Sequence, residues 1–210
     1  GLLPQEALIG RIPDIESYDA PDWDPQALED TALAMESAAR SHPEIVQIAG
    51  CGASVGVRAS ALAASNGFVG VRLASVRSLG VAPVAKRGDF MERDYEGDSA
   101  RRLSDLKAPD EIGRIAAERA IARLGADKIA SGKRPVLFDR RTASTFLSSL
   151  IGAISGPAVA RGVSFLRDKL GERILPEGMD LIEDPLKAWG HGSRAFDGEG
   201  AATRPRALVE

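Results

Sequence analysis

Val55-Gly56-Val57-Arg58-Ala59-Ser60-Ala61, then Asn66-Gly67, then Val69-Gly70-Val71-Arg72-Leu73, form two alternating runs around a turn dipeptide. Apolar residues at every second position suit a half-buried strand. Asn-Gly between two such runs is a strong short-range hairpin signal. Leu62 breaks the alternation before the turn. Gly80 and Gly88 punctuate two further stretches, so Ile45 to about Arg93 reads as an antiparallel meander of three or four strands. Ala and Gly fill many of its positions, and small-residue faces of this kind are expected to lie close against something.

Helices flank the meander. Asp24-Pro25 opens one, with Asp as N-cap and Pro at the first helical position, where its missing N–H costs nothing. Leu28, Ala32, Met35 and Ala39 follow at helical spacing, and His42-Pro43 closes it. Residues 1–23, with three prolines, read as an extended lead-in. After the connector Asp105–Pro109, a helix runs from about Asp110 to Leu124 with Ile112, Ile115, Ala116, Ala120 and Leu124 on its apolar face. Gly125 terminates it.

The polar, basic Ser131-Gly132-Lys133-Arg134 is the boundary, dividing the chain into 1–130 and 131–210. Beyond it Pro135–Phe138 reads as a strand, and Asp139 caps a helix carrying Phe146, Leu147, Leu150 and Ile151. That stripe is wide enough to bury, so Leu147 is expected in a packed site. Gly152, Gly156 and Pro157 break the helix, and Met179–Asp184 reads as another strand. The architecture is α+β: an antiparallel meander flanked by helices, then the opening strand and helix of a second domain.

The chain has 210 residues, 44% hydrophobic and 27% charged, which is ordinary for a globular protein and excludes bulk disorder. No stretch approaches the ~18 apolar residues of a membrane-spanning helix. Lys and Arg number 27 against 30 Asp and Glu, a net charge of −3, which argues against direct binding to nucleic acid. The chain opens on Gly1-Leu2-Leu3-Pro4, without an initiator Met or a signal-like apolar core, and ends on Arg206–Glu210 with no closing turn signal. It is expected to be a piece of a longer chain.

Few residues offer chemistry. Gly52-Ala53-Ser54-Val55-Gly56 fits the G-x-S-x-G nucleophile elbow, with His191 further on, but the run leading out of it alternates as a strand where the motif needs a helix. Gly50-Cys51-Gly52 lacks the later glycine and the helix of a phosphate loop. Cys51 is the only cysteine, which rules out an internal disulfide, and it reads as a small buried residue. His42 and His191 are the only histidines, too few and too far apart for a self-contained zinc site. His191 sits in a Gly190–Ser193 loop able to approach a ligand. Asp197-Gly198-Glu199-Gly200 places two carboxylates at alternate positions, with a turn as the plainer reading. Asp89, Glu92, Arg93 and Asp94 form a charge cluster that reads as a solvated ion-pair network.

An ordered series of segments resembles the PmbA/TldE proteins. Gly88-Asp89-Phe90-Met91-Glu92-Arg93-Asp94-Tyr95 begins it. Ile112-Gly113, Ala116–Ala120, Arg123–Ile129 and Ser131–Val136 continue it. Gly152–Gly156, Ser164–Leu166, Leu170–Glu172 and Phe196–Gly200 complete it. The likeness is strong from Gly88 to Gly200 and weaker over Ile45–Arg87.

The resemblance implies much more than the residues do. With its TldD relatives, the family is described as modulators of DNA gyrase and as metallopeptidases. TldD and TldE are understood to form a heterodimer that degrades or trims unfolded peptides in the bacterial cytoplasm. The metal belongs to TldD, on H-E-x-x-x-H. Counting back from Gly171-Glu172, that motif falls on Leu147–Gly152, with Leu147 and Gly152 in the His places and Ser148 in the Glu place. No His or Glu lies between Arg140 and Gly171, so the register does not matter.

The resemblance therefore implies a non-catalytic subunit with no cofactor of its own. The expected partners are a metal-bearing TldD-type subunit and an unfolded peptide, with no nucleic acid and no membrane. His191, Asp197 and Glu199 are candidates for a peptide-binding or interface loop. An exposed strand edge that pairs with peptide main chain is the expected docking mode. The alternatives are a serine hydrolase using Ser54 and a gyrase-modulating binding module.

Overall fold

The computed structural model describes residues 2–21 and 24–209, so Gly1, Asp22 and Trp23 of the lead-in and the terminal Glu210 lie outside the described residues. The chain forms two compact units: 1–127 with 184–205, and 128–183 with 206–210.

The first unit begins with a 3-10 turn at Gln5–Ala7 and an extended lead-in. Helix α1 (Pro25–Arg40) starts as the sequence dictates: the Asp24 carboxylate accepts from the Gln26 amide at 3.0 Å, and Pro25 occupies the first turn. Strands β1 (Ile45–Ala63) and β2 (Val69–Arg87) form one antiparallel hairpin, each 19 residues long. Its turn uses Gly67 at φ +93, while the Asn66 side chain accepts from the Phe68 amide at 3.3 Å. Gly88, at φ +59, turns β2 into β3 (Phe90–Arg93), and β4 (Glu96–Ala100) follows. Both short strands pair with β2 on the side away from β1, end to end, giving a four-stranded sheet.

Gly80 does not end a strand, as the sequence suggested. β2 runs straight through it, with Gly80 opposite Gly52 on one side and Gly97 on the other. The glycines serve close approach: a Cβ at Gly97 would stand 2.9 Å from the Leu79 carbonyl oxygen.

Helix α2 (Pro109–Ala122) buries Ile112, Gly113, Ala116, Ala117 and Ala120, a stripe of mostly small side chains that lets α1 come near. Both helices cover one face of the sheet. Met35, Val81, Ile112 and Ala116 form one core cluster, and Ala39, Ile45, Ala85, Ala117 and Ala120 another. A buried glutamate ties α2 to the sheet: Glu96 accepts from Lys107 at 2.7 Å and from Arg119. Arg123, just past α2, bridges to Glu92 at 3.5 Å and Asp94 at 3.6 Å, which places part of the charge cluster in an ion-pair network.

The segment 184–205 returns to this unit. Phe196 meets Phe68 edge to face with centroids 5.1 Å apart, next to Ala195 and above Gly70 and Gly200, where a Cβ would collide with the rings. Arg101, buried after β4, donates to the carbonyls of Gly190 at 2.9 Å and His191 at 2.7 Å, and so pins the returning loop.

In the second unit, Asp139 caps α3 (Arg140–Ala153), accepting from the Arg141 amide at 2.9 Å. Helix α4 (Gly156–Ala160) comes next, and the buried Ser164 hydroxyl donates to the Ala153 carbonyl at 2.6 Å. Strand β5 (Leu181–Glu183) pairs with β6 (Arg206–Val209). Two expectations change here. Pro135–Phe138 is not a strand: Leu137 is 98% exposed and no ladder forms there. The α3 stripe is not buried either, with Leu147 at 45% and Phe146 at 56% exposure, because no layer of this unit lies over it among the described residues.

Candidate functional site

The outer edge of β1 is the conspicuous open feature. β1 pairs with β2 alone, and among the described residues no backbone group from 46 to 63 bonds to anything beyond β2. Long unpaired edges are templates for another strand, and proteins usually blunt them. The other edge of the arm is blunted here. Where β3 and β4 stop, the lead-in runs along β2: the Ser75 amide donates to the Ser17 carbonyl at 3.1 Å, and the Ser17 hydroxyl to the Leu73 carbonyl at 2.7 Å.

Register fixes two faces on the arm. Paired residues share a face, so Val55, Val57, Ala59 and Ala61 lie with Arg77, Ser75, Leu73 and Val71. This is the face that the helices cover lower down, at Cys51 and Leu79. Ser75 and Arg77 are shielded by Arg101, whose carbonyl accepts from both side chains at 2.7 Å. Beyond them Val57, Leu73, Val71 and Val69 are exposed. The other face carries Ser54, Gly56, Arg58 and Ser60 beside Ser78, Val76, Ala74 and Arg72. The guanidinium groups of Arg58, Arg72 and Arg194 have no hydrogen-bond or ion-pair partner among the described residues. Arg72 and Arg194 line a cavity of about 210 Å³ with Ser60, Leu62, Phe196 and Asp197.

The other candidates disperse. Ser54 stands in mid-strand, far from any strand-to-helix turn, so the elbow does not form. Cys51 is half-buried; its thiol donates to the Ala32 carbonyl at 3.2 Å, and burial pushes its pKa up. His42 lies at the end of α1 beside Ser41, 3.5 Å away. His191 Nε2 lies 2.8 Å from the Ser99 carbonyl, a contact that needs the Nε2–H tautomer. Asp197 is a turn residue, accepting from the amides of Glu199 at 2.9 Å and Ala201 at 3.0 Å, while Glu199 points to solvent. His191, Asp197 and Glu199 thus share the returning segment without forming one donor set. No group of three His, Cys, Asp or Glu that could hold a metal occurs among the described residues.

Leu147, Ser148 and Gly152 are all on α3, but the five-residue spacing turns Leu147 and Gly152 about 140° apart. Their chemistry does not fit a metal, since Leu has no lone pair, Gly has no side chain, and one Ser hydroxyl is a poor neutral ligand. The arginine row was not read from the sequence. Its signal was there, because Arg58 and Arg72 take the positions opposite in parity to Val55, Val57, Val69 and Val71. Arg194 carries no local signal of that kind.

Two family models match the chain. Residues 18–124 match the PmbA/TldA metallopeptidase central domain, and residues 131–210 its C-terminal domain. Metalloprotease PmbA of Escherichia coli O157:H7 is 30% identical over 211 residues, covering 100% of this chain and 47% of that protein. A PmbA homologue from Haemophilus influenzae is 31% identical over the same shares. A protein from Bacteroides thetaiotaomicron described as a modulator of DNA gyrase superposes with a TM-score of 0.91 at 29% identity, over 100% of this chain and 49% of that one. TldE from Thermococcus kodakarensis shares the fold, with a TM-score of 0.71 at 20% identity, over 92% of this chain and 46% of that one. The chain spans about half the length of the relatives it matches. Both halves of the ordered series thus find their counterparts in one family, and this chain belongs to the PmbA/TldD metallopeptidase family.

Proposed function

We propose that this chain serves as the non-catalytic, TldE-type subunit of a TldD/TldE-type metallopeptidase assembly in the cytoplasm, and that it holds unfolded peptide in extended form. The observation that carries the reading is the composition of α3, which holds no His, Cys, Asp or Glu, on the helix where the resemblance implies that a metal-bearing relative has its two His and a Glu. A metallopeptidase draws its nucleophile from a metal-bound water, and a helix without ligands cannot supply one. The structural likeness to a protein named TldE supports the subunit role.

The peptide-holding part rests on β1. Each main-chain hydrogen bond contributes a net ~0.5–1.5 kcal/mol, while association costs ~4–15 kcal/mol. Half a dozen bonds therefore give weak, sequence-tolerant capture, which suits a subunit that presents many unfolded substrates to a neighbour.

The test is reconstitution. The protein alone, an H-E-x-x-x-H relative alone and the two mixed are assayed on an unfolded protein substrate, with metal measured in each. The expected result is cleavage only where the H-E-x-x-x-H chain is present, with the mixture faster, and well under one metal per molecule of this protein. Chelator-sensitive cleavage by this protein alone would contradict the reading.

A further inference from the structure

Main-chain pairing explains why a strand would add to β1, but not which side chains it would carry. The two faces of the arm differ in a way that decides this. A strand laid against β1 sends alternate side chains to opposite faces. One row comes to lie beside Val55, Val57, Ala59 and Ala61, and the other beside Ser54, Gly56, Arg58 and Ser60. Side chains directly opposite on neighbouring strands have their Cβ atoms only ~4.5–5.5 Å apart, so each row meets its own chemistry at contact range.

On the second face the chemistry is cationic and unsatisfied. Arg58 is on the edge strand itself, with no acid to pair with among the described residues. Arg72 stands one strand further in, opposite Ser60, and the small serine leaves open the space that both residues line. Arg194 opens on the same space. The acids nearby are Asp197, whose Oδ1 is taken by two turn amides, the exposed Glu199, and the exposed Asp14 and Glu16, which line a second cavity with Arg72 but form no ion pair with it among the described residues. Arg58 is exposed and Arg72 half-buried; unpaired arginines side by side repel one another, and a carboxylate row relieves that repulsion while a lysine row adds to it. On the first face Val57, Ala59 and Ala61 offer small apolar surface and no charge.

We infer that β1 selects extended segments whose alternate residues are acidic on one face and apolar on the other, with Arg58 and Arg72 as the residues that set this preference. The inference rests on the peptide-holding function proposed above and names its substrate class: acidic, alternating, unfolded polypeptide. Its electrostatic part weakens as salt rises, chiefly at Arg58, which is exposed, and less at the half-buried Arg72.

The experiment uses the full chain and four labelled peptides of about a dozen residues, long enough to cover the Arg58 end of β1. Three alternate Thr with Glu, Gln or Lys, and the fourth is the Gln peptide with alternate backbone nitrogens methylated. Binding is measured for the wild-type protein, for Arg58→Glu/Arg72→Glu and for the milder Arg58→Gln, with folding checked by circular dichroism. The expected order is Glu over Gln over Lys, with about fivefold per step. The order should invert in the double charge reversal and shrink in Arg58→Gln, and methylation should abolish binding. If the three unmethylated peptides bind equally while methylation still abolishes binding, the side-chain preference is overturned and main-chain capture stands. If methylation has no effect, or no peptide binds, both fall. A concentration-dependent dimer that excludes peptide from β1 would also overturn the inference, since the edge would then belong to a second copy.

Discussion

Ser54 on β1 stands directly opposite Ser78 on β2, with Gly52 facing Gly80 and Gly56 facing Val76 in the same ladder. The five-residue motif that resembles a nucleophile elbow is therefore a straight piece of strand. An elbow works by lifting its hydroxyl off the end of a strand beside a helix and a histidine, and here the serine lies among glycines on an open sheet face. Ser54→Ala is expected to leave the peptidase activity of the reconstituted complex within about twofold. A loss beyond about a hundredfold in kcat, with the fold intact, would restore the serine to the chemistry.

Gly113 gives a second test, on packing. It faces α1 so closely that a Cβ would collide with the Met35 carbonyl oxygen and crowd Ala38. Ala is the better helix former by ~1 kcal/mol, yet the clash falls on backbone that cannot step aside. Gly113→Ala should destabilise the protein by about 1–3 kcal/mol, as overpacking does. An unchanged denaturant midpoint would show that α1 and α2 are not in close contact.

For Leu147 the structure reverses what the α3 stripe suggested. The side chain is 45% exposed, so Leu147→Ala should cost this chain less than about 1 kcal/mol, against ~2–5 kcal/mol for a buried leucine. A cost above about 2 kcal/mol in a denaturant titration would mean that something covers α3 in solution.

The Cys51 thiol is held in its neutral form, chiefly by burial and also by the nearby Glu36 carboxylate. At pH 8 its alkylation by iodoacetamide should be slower than that of free glutathione, because only the thiolate attacks. A pKa raised in the folded state contributes stability that is present below the unfolded thiol value and lost as pH rises through the folded one. Cys51→Ala should therefore flatten part of the alkaline loss. Alkylation as fast as that of glutathione would show the thiol to be open.

Local signals were legible where they act within a few residues. Asp24-Pro25, Asn66-Gly67 and Asp139 each did what their chemistry dictates. Gly80 misled, because a glycine in a strand marks either a break or a close neighbour, and only the arrival of β4 shows which. Pro135–Phe138 and the α3 stripe misled for a related reason: apolar patterning states what a segment can bury, not whether a partner layer is present. The pairing of β5 with β6 joins residues 183 and 206, a separation that no local signal spans. Of the candidate site, the free edge was legible as a class of feature, whereas the arginine row emerges only once the register assigns Arg58 and Arg72 to one face.

Hydrogen–deuterium exchange of the protein with and without an unfolded peptide tests the central claim most directly. Unpaired edge amides exchange readily, and an added strand would protect them. Slowed exchange is expected in 46–63, continuous along the arm, with α3 unchanged. Protection at α3 and none along β1 would contradict the account, because the peptide would then be held by a helix of the second unit and not by the free edge of the sheet.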